Sequence, residues 1–427
     1  MAVLNSIAVR LAVAGMVTVG MGWVGAAQAL DQEAWRWNGE LITVVTAPQV
    51  RMDSLYNPGN LLGGAAGLYM DSALRLNGRW KGQGWLLSAG PRLSEARSFD
   101  DARGREPLLE RDAYLQHWRL ERRLGPVDLY YNREDMQWGT SLLASPSNPF
   151  FTNQDRTNSL VEVATRDFLG ARLHLGEQDR INLMANVGQG RDKELLRDFK
   201  PIYAVQYERV GEQSQWGGLL SWRDRRWRMG AWGHVLTGPG SLLYADTAWT
   251  QEPERLAPRL DPMWGWRLQE RERPDRRYLD ALAGVAVSLG SSSTLNVEYR
   301  YNGAGYSRAE RRDMDAFALS NASRMLLFDP VGGGTELAKA VRPNRSPWAR
   351  QTVAAYVSQA LGMDTHAFAL VQYDLERKDR ALTLILEQAL GSHVRLIFNG
   401  TVHAGGDRQS FQRYADHVLF AGLRVSF

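Results

Sequence analysis

The sequence predicts an all-β fold, a transmembrane antiparallel β-barrel of about 18 strands (16–18), with long outer loops on one rim and short periplasmic turns on the other. Three observations predict it. Segments of roughly ten residues alternate apolar and polar, the period of a strand whose two faces meet different media. Tight turns alternate with long connections along the chain. Aromatic residues gather near strand ends, at Trp35, Trp37, Trp80, Trp85, Trp118, Trp138, Trp222, Trp227 and Trp249, where amphipathic rings would form girdles at two lipid–water interfaces. Composition agrees: the 427 residues are 44% hydrophobic, with 51 Lys plus Arg against 47 Asp plus Glu and a mean hydropathy of −0.37. Past residue 30 no stretch approaches the roughly 20 consecutive apolar residues of a spanning helix. Charges of both signs are interspersed, so a nucleic-acid partner is not expected despite a pI near 9.2. The absence of cysteine excludes disulfides, thiolate metal sites and thiol catalysis.

Taken in order, residues 1–29 read as a secretory signal: Arg10, an apolar run over 11–24, then Ala27-Gln28-Ala29 as a cleavage pattern. No cysteine follows the run, so no lipoprotein anchor is expected. Residues 30–427 are expected to form one barrel domain. Tight turns are expected near 78–83, 124–126, 176–179, 211–213, 237–241, 290–292, 361–364 and 391–393. Between them lie the connections of the other rim, near 46–66, 95–111, 136–159, 189–200, 251–276, 303–349, 375–379 and 404–416, with one short exception at 224–226. The parity requires 160–175 to be a single long strand. In 294–302, Leu295, Val297, Tyr299 and Tyr301 point one way, and Asn296, Glu298, Arg300 and Asn302 the other. In 394–403, Val394, Leu396, Phe398 and Val402 oppose Arg395, Asn399, Thr401 and His403, with Ile397 breaking the polar side. The last strand alternates Leu419, Ala421, Leu423, Val425 and Phe427 with Arg424 and Ser426.

This rhythm gives an even strand number with both termini on the short-turn side. Dividing the mature chain by roughly 22 residues per strand and connection also gives about 18 strands. In lipid an unpaired backbone group costs several kcal/mol, so a spanning sheet must close on itself. An 18-stranded barrel is too wide for side chains to fill, so its polar faces line an aqueous interior.

The signal segment, the terminal strand ending in Phe427 and the short-turn/long-loop rhythm resemble Gram-negative outer-membrane β-barrels of the porin class. Residues 133–139 (Arg-Glu-Asp-Met-Gln-Trp-Gly) and 299–303 (Tyr-Arg-Tyr-Asn-Gly) are similar to segments of uncharacterised proteobacterial barrels. The resemblance implies the cell outer membrane, contact with its lipids and lipopolysaccharide, and recognition of Phe427 by the barrel-assembly machinery. The few residues before the first strand leave no room for the plug of energy-coupled receptors.

None of the seven histidines lies in a G-x-S-x-G or H-E-x-x-H context, so no catalytic residue is assigned and an enzyme is not expected. Glu134-Asp135 is a pair of carboxylates, but consecutive strand residues face opposite sides unless the strand ends before them. Asp313-Met314-Asp315 lacks the rest of a calcium loop and reads as a solvated loop face. Gly332-Gly333-Gly334 lacks the Lys and Ser/Thr of a phosphate loop and reads as a flexible hinge between helix-compatible stretches at 307–322 and 335–341. No metal and no cofactor is expected. Residues 223–226 (Arg-Asp-Arg-Arg) read as a tight, charged turn on the long-loop rim.

A charge on the lipid face costs about 2–4 kcal/mol at the midplane, so Asn132, Glu134, Asn296, Glu298, Arg300, Arg395 and Arg424 are assigned to the lumen. With both signs present and Arg in excess, weak anion preference or charge separation across a constriction is expected, unless the charges only neutralise one another as wall pairs. Segment 136–159 is the candidate constriction loop, with Trp138, Phe150, Phe151, Asp155 and Arg156. Segment 303–349 is long enough to be a folded outer lid. The expected function is passive, weakly charge-selective passage of a small or medium hydrophilic solute. The alternatives are a gated export channel for an anionic polysaccharide and a non-conducting barrel whose surface loops bind envelope polymers.

Overall fold

The computed structural model describes residues 36–62, 66–100, 108–151, 160, 162–191, 199–251, 256–263, 265–270, 276–341, 349–405 and 415–427. Trp35, Asp155, Arg156 and the signal segment lie outside the described residues. The first half of the barrel comprises β1 (Arg36–Val50), β2 (Leu68–Gly82), β3 (Trp85–Asp100), β4 (Leu109–Leu124), β5 (Val127–Glu134), β6 (Arg166–His174), β7 (Asp179–Gly188), β8 (Ile202–Val210) and β9 (Ser214–Arg223). After β10 (Arg226–Gly238) and β11 (Ser241–Gln251), a separate hairpin of β12 (Leu256–Asp261) and β13 (Gly265–Glu270) stands outside the wall. The wall resumes with β14 (Arg277–Ser288) and β15 (Ser293–Asn302), then, after helices α1 (Arg308–Leu327) and α2 (Pro330–Val341), with β16 (Gln351–Ala360), β17 (Thr365–Asp374), β18 (Arg380–Leu390), β19 (Val394–Ala404) and β20 (Ala415–Ser426).

Eighteen of these strands form one antiparallel sheet, and β1 pairs with β20 from Glu40↔Ser426 to Val50↔Ala415, so the sheet closes. Closure extends to the terminal residue, whose N–H and C=O exchange 2.9 Å hydrogen bonds with Gly39. No helix among the described residues is long and apolar enough to cross a membrane; the closed sheet turns an apolar surface outward.

That surface follows from the alternation. Leu129, Leu183, Leu220, Met229, Leu243, Val297, Val371, Leu384, Phe398 and Leu419 are exposed on the outside, while their sequence neighbours face in. Aromatic rings mark two levels: Trp37, Trp85 and Trp216 near the short turns, and Trp222, Trp249 and Tyr203 toward the loops, where Tyr203 stacks on Trp222 at 5.7 Å. Trp138 is not in either level, because its loop has turned into the lumen. On the outer face near the loop rim, Arg133 and Asp167 neutralise each other through two bonds of 2.6 and 3.0 Å. This pairing lowers the cost of charge facing lipid.

Four local expectations are corrected. The strand expected over 160–175 begins only at Arg166, because residues 162–165 belong to the inward loop and bond to the wall of β4: Gln116 donates to the Val163 carbonyl at 2.7 Å, and the Thr165 hydroxyl donates to the Gln116 carbonyl at 2.6 Å. The 95–111 loop is shorter than expected, since β3 and β4 run on as a hairpin held by Glu95–Arg111 at 2.8 Å and by the Ser98 hydroxyl accepting from Leu108 N–H at 2.9 Å. Gly332, Gly333 and Gly334 are no hinge but lie inside α2, where a Cβ on Gly333 would fall 2.6–2.7 Å from the Met325 nitrogen and the Asn321 oxygen of α1. The glycine is the condition of helix–helix contact. Asp313 and Asp315 lie on α1 rather than on a solvated loop, and Asp315 is buried against Arg377 at 3.4 Å.

Above the long-loop rim, α1, α2, the β12–β13 hairpin and Tyr56 of the β1–β2 connection share one apolar cluster around Met314, Phe317, Met325 and Leu337. Segment 303–349 is thus a folded lid over its described part, bridging to the β11–β14 and β1–β2 connections.

Candidate functional site: the lumen and its inward loop

Residues 136–151 leave the top of β5 and run through the lumen. Their hydroxyls find acceptors on the inner face of the far wall. Ser141 donates to Glu298 at 2.9 Å, Ser145 donates to Asp246 at 2.6 Å, and the Ser147 N–H donates to the other Asp246 oxygen at 2.6 Å. Arg228 donates to the Pro146 carbonyl. Glu298 also accepts from Tyr244 at 2.7 Å and Tyr356 at 3.3 Å, so its buried carboxylate is held by three neutral hydroxyls. At Gly230 of β10 the loop comes so close that a Cβ would stand 2.7 Å from the Ser147 Cβ. Between these polar latches, Leu142 and Leu143 pack toward Tyr356 and Leu370, and Ala144 packs toward Tyr244 and Leu282.

The returning part fills the other side. Asn148 accepts from the N–H groups of Phe150 and Phe151 at 2.9 and 3.0 Å, forming a turn that aims both rings at β5–β10. There they join Tyr130, Phe168, Met184, Ile202, Leu219 and Trp232. Farther along, Leu160 packs on Ile42, Val44, Ile385 and Ile397, which explains why Ile397 interrupts the polar side of β19. Glu162 meets Arg92 at 2.6 Å and Arg75 at 3.4 Å, and Arg75 also donates to the Leu160 carbonyl at 2.7 Å.

Register separates two halves of the β5–β10 wall. Toward the loops the inward residues are Phe168, Met184, Ile202 and Ala204; toward the short turns they are Arg172, Asn182, Gln206 and Glu208. Beside the latter lies a cavity of about 550 Å³, lined by those polar residues together with Arg119, Glu134, Asp135, Arg180, Gln215 and His234, and bounded by Met136, Trp138 and Trp232. Trp138 and Trp232 also belong to or pack on the aromatic cluster, with ring centroids 5.6 Å apart, so they separate the polar cavity from that layer. Glu134 is the last residue of β5 and Asp135 lies beyond it, so the two line the same cavity although the strand does not end before both.

The seven residues assigned from sequence are spread around the wall rather than gathered in one site. Asn132 is buried on β5, and Glu134 approaches Arg119 at 3.5 Å. Asn296 shares a face with Ala286 and Tyr356 on the neighbouring strands. Glu298 alone among the seven hydrogen-bonds the inward loop in the contacts described above. Arg300 is locked on Asp280 by bonds of 3.1 and 2.8 Å, Arg395 meets Glu387 at 3.2 Å near the short turns, and Arg424 meets Glu40 at 3.5 Å. Of the candidate loop residues, Trp138, Phe150 and Phe151 lie within the lumen. No group of three or more His, Cys, Asp or Glu side chains poised for a metal occurs among the described residues.

Sequence reasoning missed Asp246, Ser145, Arg180 and Glu208. Asp246 carried a usable signal: it sits mid-strand between Ala245 and Thr247, on the same face as Tyr244, where a lipid-facing carboxylate would be costly. The serines carried none, because a loop serine looks the same whether it meets water or a buried carboxylate.

No protein family and no curated protein matches the chain. Among solved structures it is similar to a double mutant of OccD1 (OprD), at 8% identity with a TM-score of 0.50 over 92% of this chain and 96% of that one. It is also similar to a triple mutant of the Rhodopseudomonas blastica porin, at 13% identity with a TM-score of 0.44 over 92% of this chain and all of that one. The fold is a closed barrel of 18 antiparallel strands, and the likeness to these solved porins is one of fold.

Proposed function

We propose that this chain is an outer-membrane channel for passive passage of small hydrophilic solutes, without catalysis. The observation that carries the reading is the segregation of the closed barrel: an apolar outer belt, a charge-balanced polar inner wall, and a loop fixed inside the lumen by serines on buried carboxylates. A wall built only to hold surface loops gains nothing from burying Asp246 and Glu298, since each buried carboxylate carries a desolvation cost that only its hydrogen bonds offset. Narrowing by such a loop sets which solutes pass. Inward Arg residues are mostly paired with carboxylates, as at Arg300–Asp280, Arg92–Glu162 and Arg180–Glu208. The pairing supports weak charge selectivity. Single-channel recording of the refolded chain in a planar bilayer under a salt gradient tests this. Ohmic steps with a small reversal potential are expected; a folded but electrically silent barrel overturns the channel reading.

A further inference from the structure

Resting on the channel reading, we infer that the cavity beneath the inward loop binds an uncharged polyhydroxylated solute, a saccharide of one or two rings, as it passes. Its volume of about 550 Å³ lies within the range of small-molecule sites. The charges on its wall are balanced, with three Arg against three carboxylates. Each Arg also has a carboxylate beside it: Arg180 meets Glu208 at 2.7 Å, Arg119 is held by Glu121 and lies 3.5 Å from Glu134, and Arg172 lies 3.9 Å from Asp128 and over the Tyr130 ring. A solute with a net charge would have to displace one of these pairs or leave its own charge desolvated without a counter-ion.

A hydroxyl meets no such obstacle. A guanidinium has five N–H groups and a carboxylate about four lone-pair positions, so an ion pair keeps donors and acceptors side by side for hydroxyl groups. Amides extend the set: Asn182 donates to Gln206 at 3.4 Å, and Gln215 donates to Glu208. At the cavity boundary Trp138, its ring 5.6 Å from that of the buried Trp232, supplies indole surface against which the C–H face of a sugar ring can lie, the mixture of apolar wall and convergent polar groups that fixes a small ligand's orientation. A purely electrostatic filter would need no indole wall. A purely apolar pocket would need no ion pairs.

The experiment is current block of the bilayer-inserted chain by sucrose, compared with gluconate and glucosamine, which carry a net charge. Sucrose is expected to interrupt the current with a half-blocking concentration in the millimolar range, and the two charged solutes to bind at least about tenfold more weakly. Glu208→Gln releases Arg180 from its partner, so it should weaken sucrose block and shift preference toward gluconate. Gln206→Ala keeps every charge and should weaken sucrose block alone; the temperature-dependent gel mobility of each variant checks that it has folded. Equal block by all three solutes, gluconate preference in the unaltered chain, or a conducting pore indifferent to sucrose would overturn the proposal. If the barrel folds but conducts nothing, the channel reading falls, and saturation-transfer NMR with sucrose on the detergent-folded chain then decides the site. Transfer reduced by Gln206→Ala supports it, and absence of transfer overturns it.

Discussion

Asp246 shows how one side chain fixes the position of a loop whose own sequence does not. Its two oxygens accept from the Ser145 hydroxyl and the Ser147 N–H, each at 2.6 Å, and Arg228 holds the intervening Pro146 carbonyl. Asp246→Ala leaves two buried donors without an acceptor, which costs about 1–3 kcal/mol of docked-loop stability. Hydrogen exchange read by mass spectrometry should show amides 141–151 exchanging faster, with the barrel strands unchanged. Unaltered exchange would mean that Glu298 and the Phe150–Phe151 packing hold the loop without Asp246. At this scale the sequence was half legible. Alternation put Glu298 on the inner face because a midplane charge has nowhere else to go, but nothing in Ser141 or Tyr244 told that they would bond it.

Among the elements, the lid is the most informative, because its helices were visible in outline and misread in detail. Ser307 and Glu310 form a reciprocal cap at the start of α1, with the Ser307 hydroxyl accepting from Glu310 N–H and Glu310 accepting from Ser307 N–H. The glycine run looked like a break because glycine lowers helix propensity, yet contact with α1 outweighs that preference. The lid is also tied to the β17–β18 connection: Arg311, itself buried, meets the fully buried Asp374 at 3.1 Å and Glu376 at 3.0 Å. Arg311→Ala takes the cation from both carboxylates and leaves Asp374 only backbone N–H donors such as that of Glu376, a change that costs about 3–5 kcal/mol when one partner of a buried pair is removed. Trypsin should then cut the folded barrel after Arg312 and Arg324 of α1, where the unaltered chain resists. Continued resistance would show that the apolar cluster around Phe317 holds the lid by itself.

Across the whole molecule, architecture was legible and contents were not, and the reason is physical. Barrel closure is imposed by lipid on every strand at once, so strand period, turn rhythm and an even count all report it, down to Phe427 bonding Gly39. The interior answers to no such repeated constraint; one loop decides it, through single contacts with β10, β11, β15 and the aromatic side of β5–β9. That loop is unevenly placed. Its 141–147 part lies on the far wall, its Phe150 and Phe151 fill the loop-side half of the near wall, and the polar cavity remains below them. If 136–151 sets the narrowest section, replacing 137–149 with a short Gly-Ser link should leave the 18-stranded wall intact, since none of those residues belongs to a strand. The variant should keep temperature-dependent gel mobility and show larger single-channel conductance together with loss of sucrose block, because the indole of Trp138 goes with the loop. Unchanged conductance in a folded variant would instead move the constriction to Leu160 and Glu162, which Ile42, Arg75 and Arg92 hold against the neighbouring strands β1–β3 independently of 137–149.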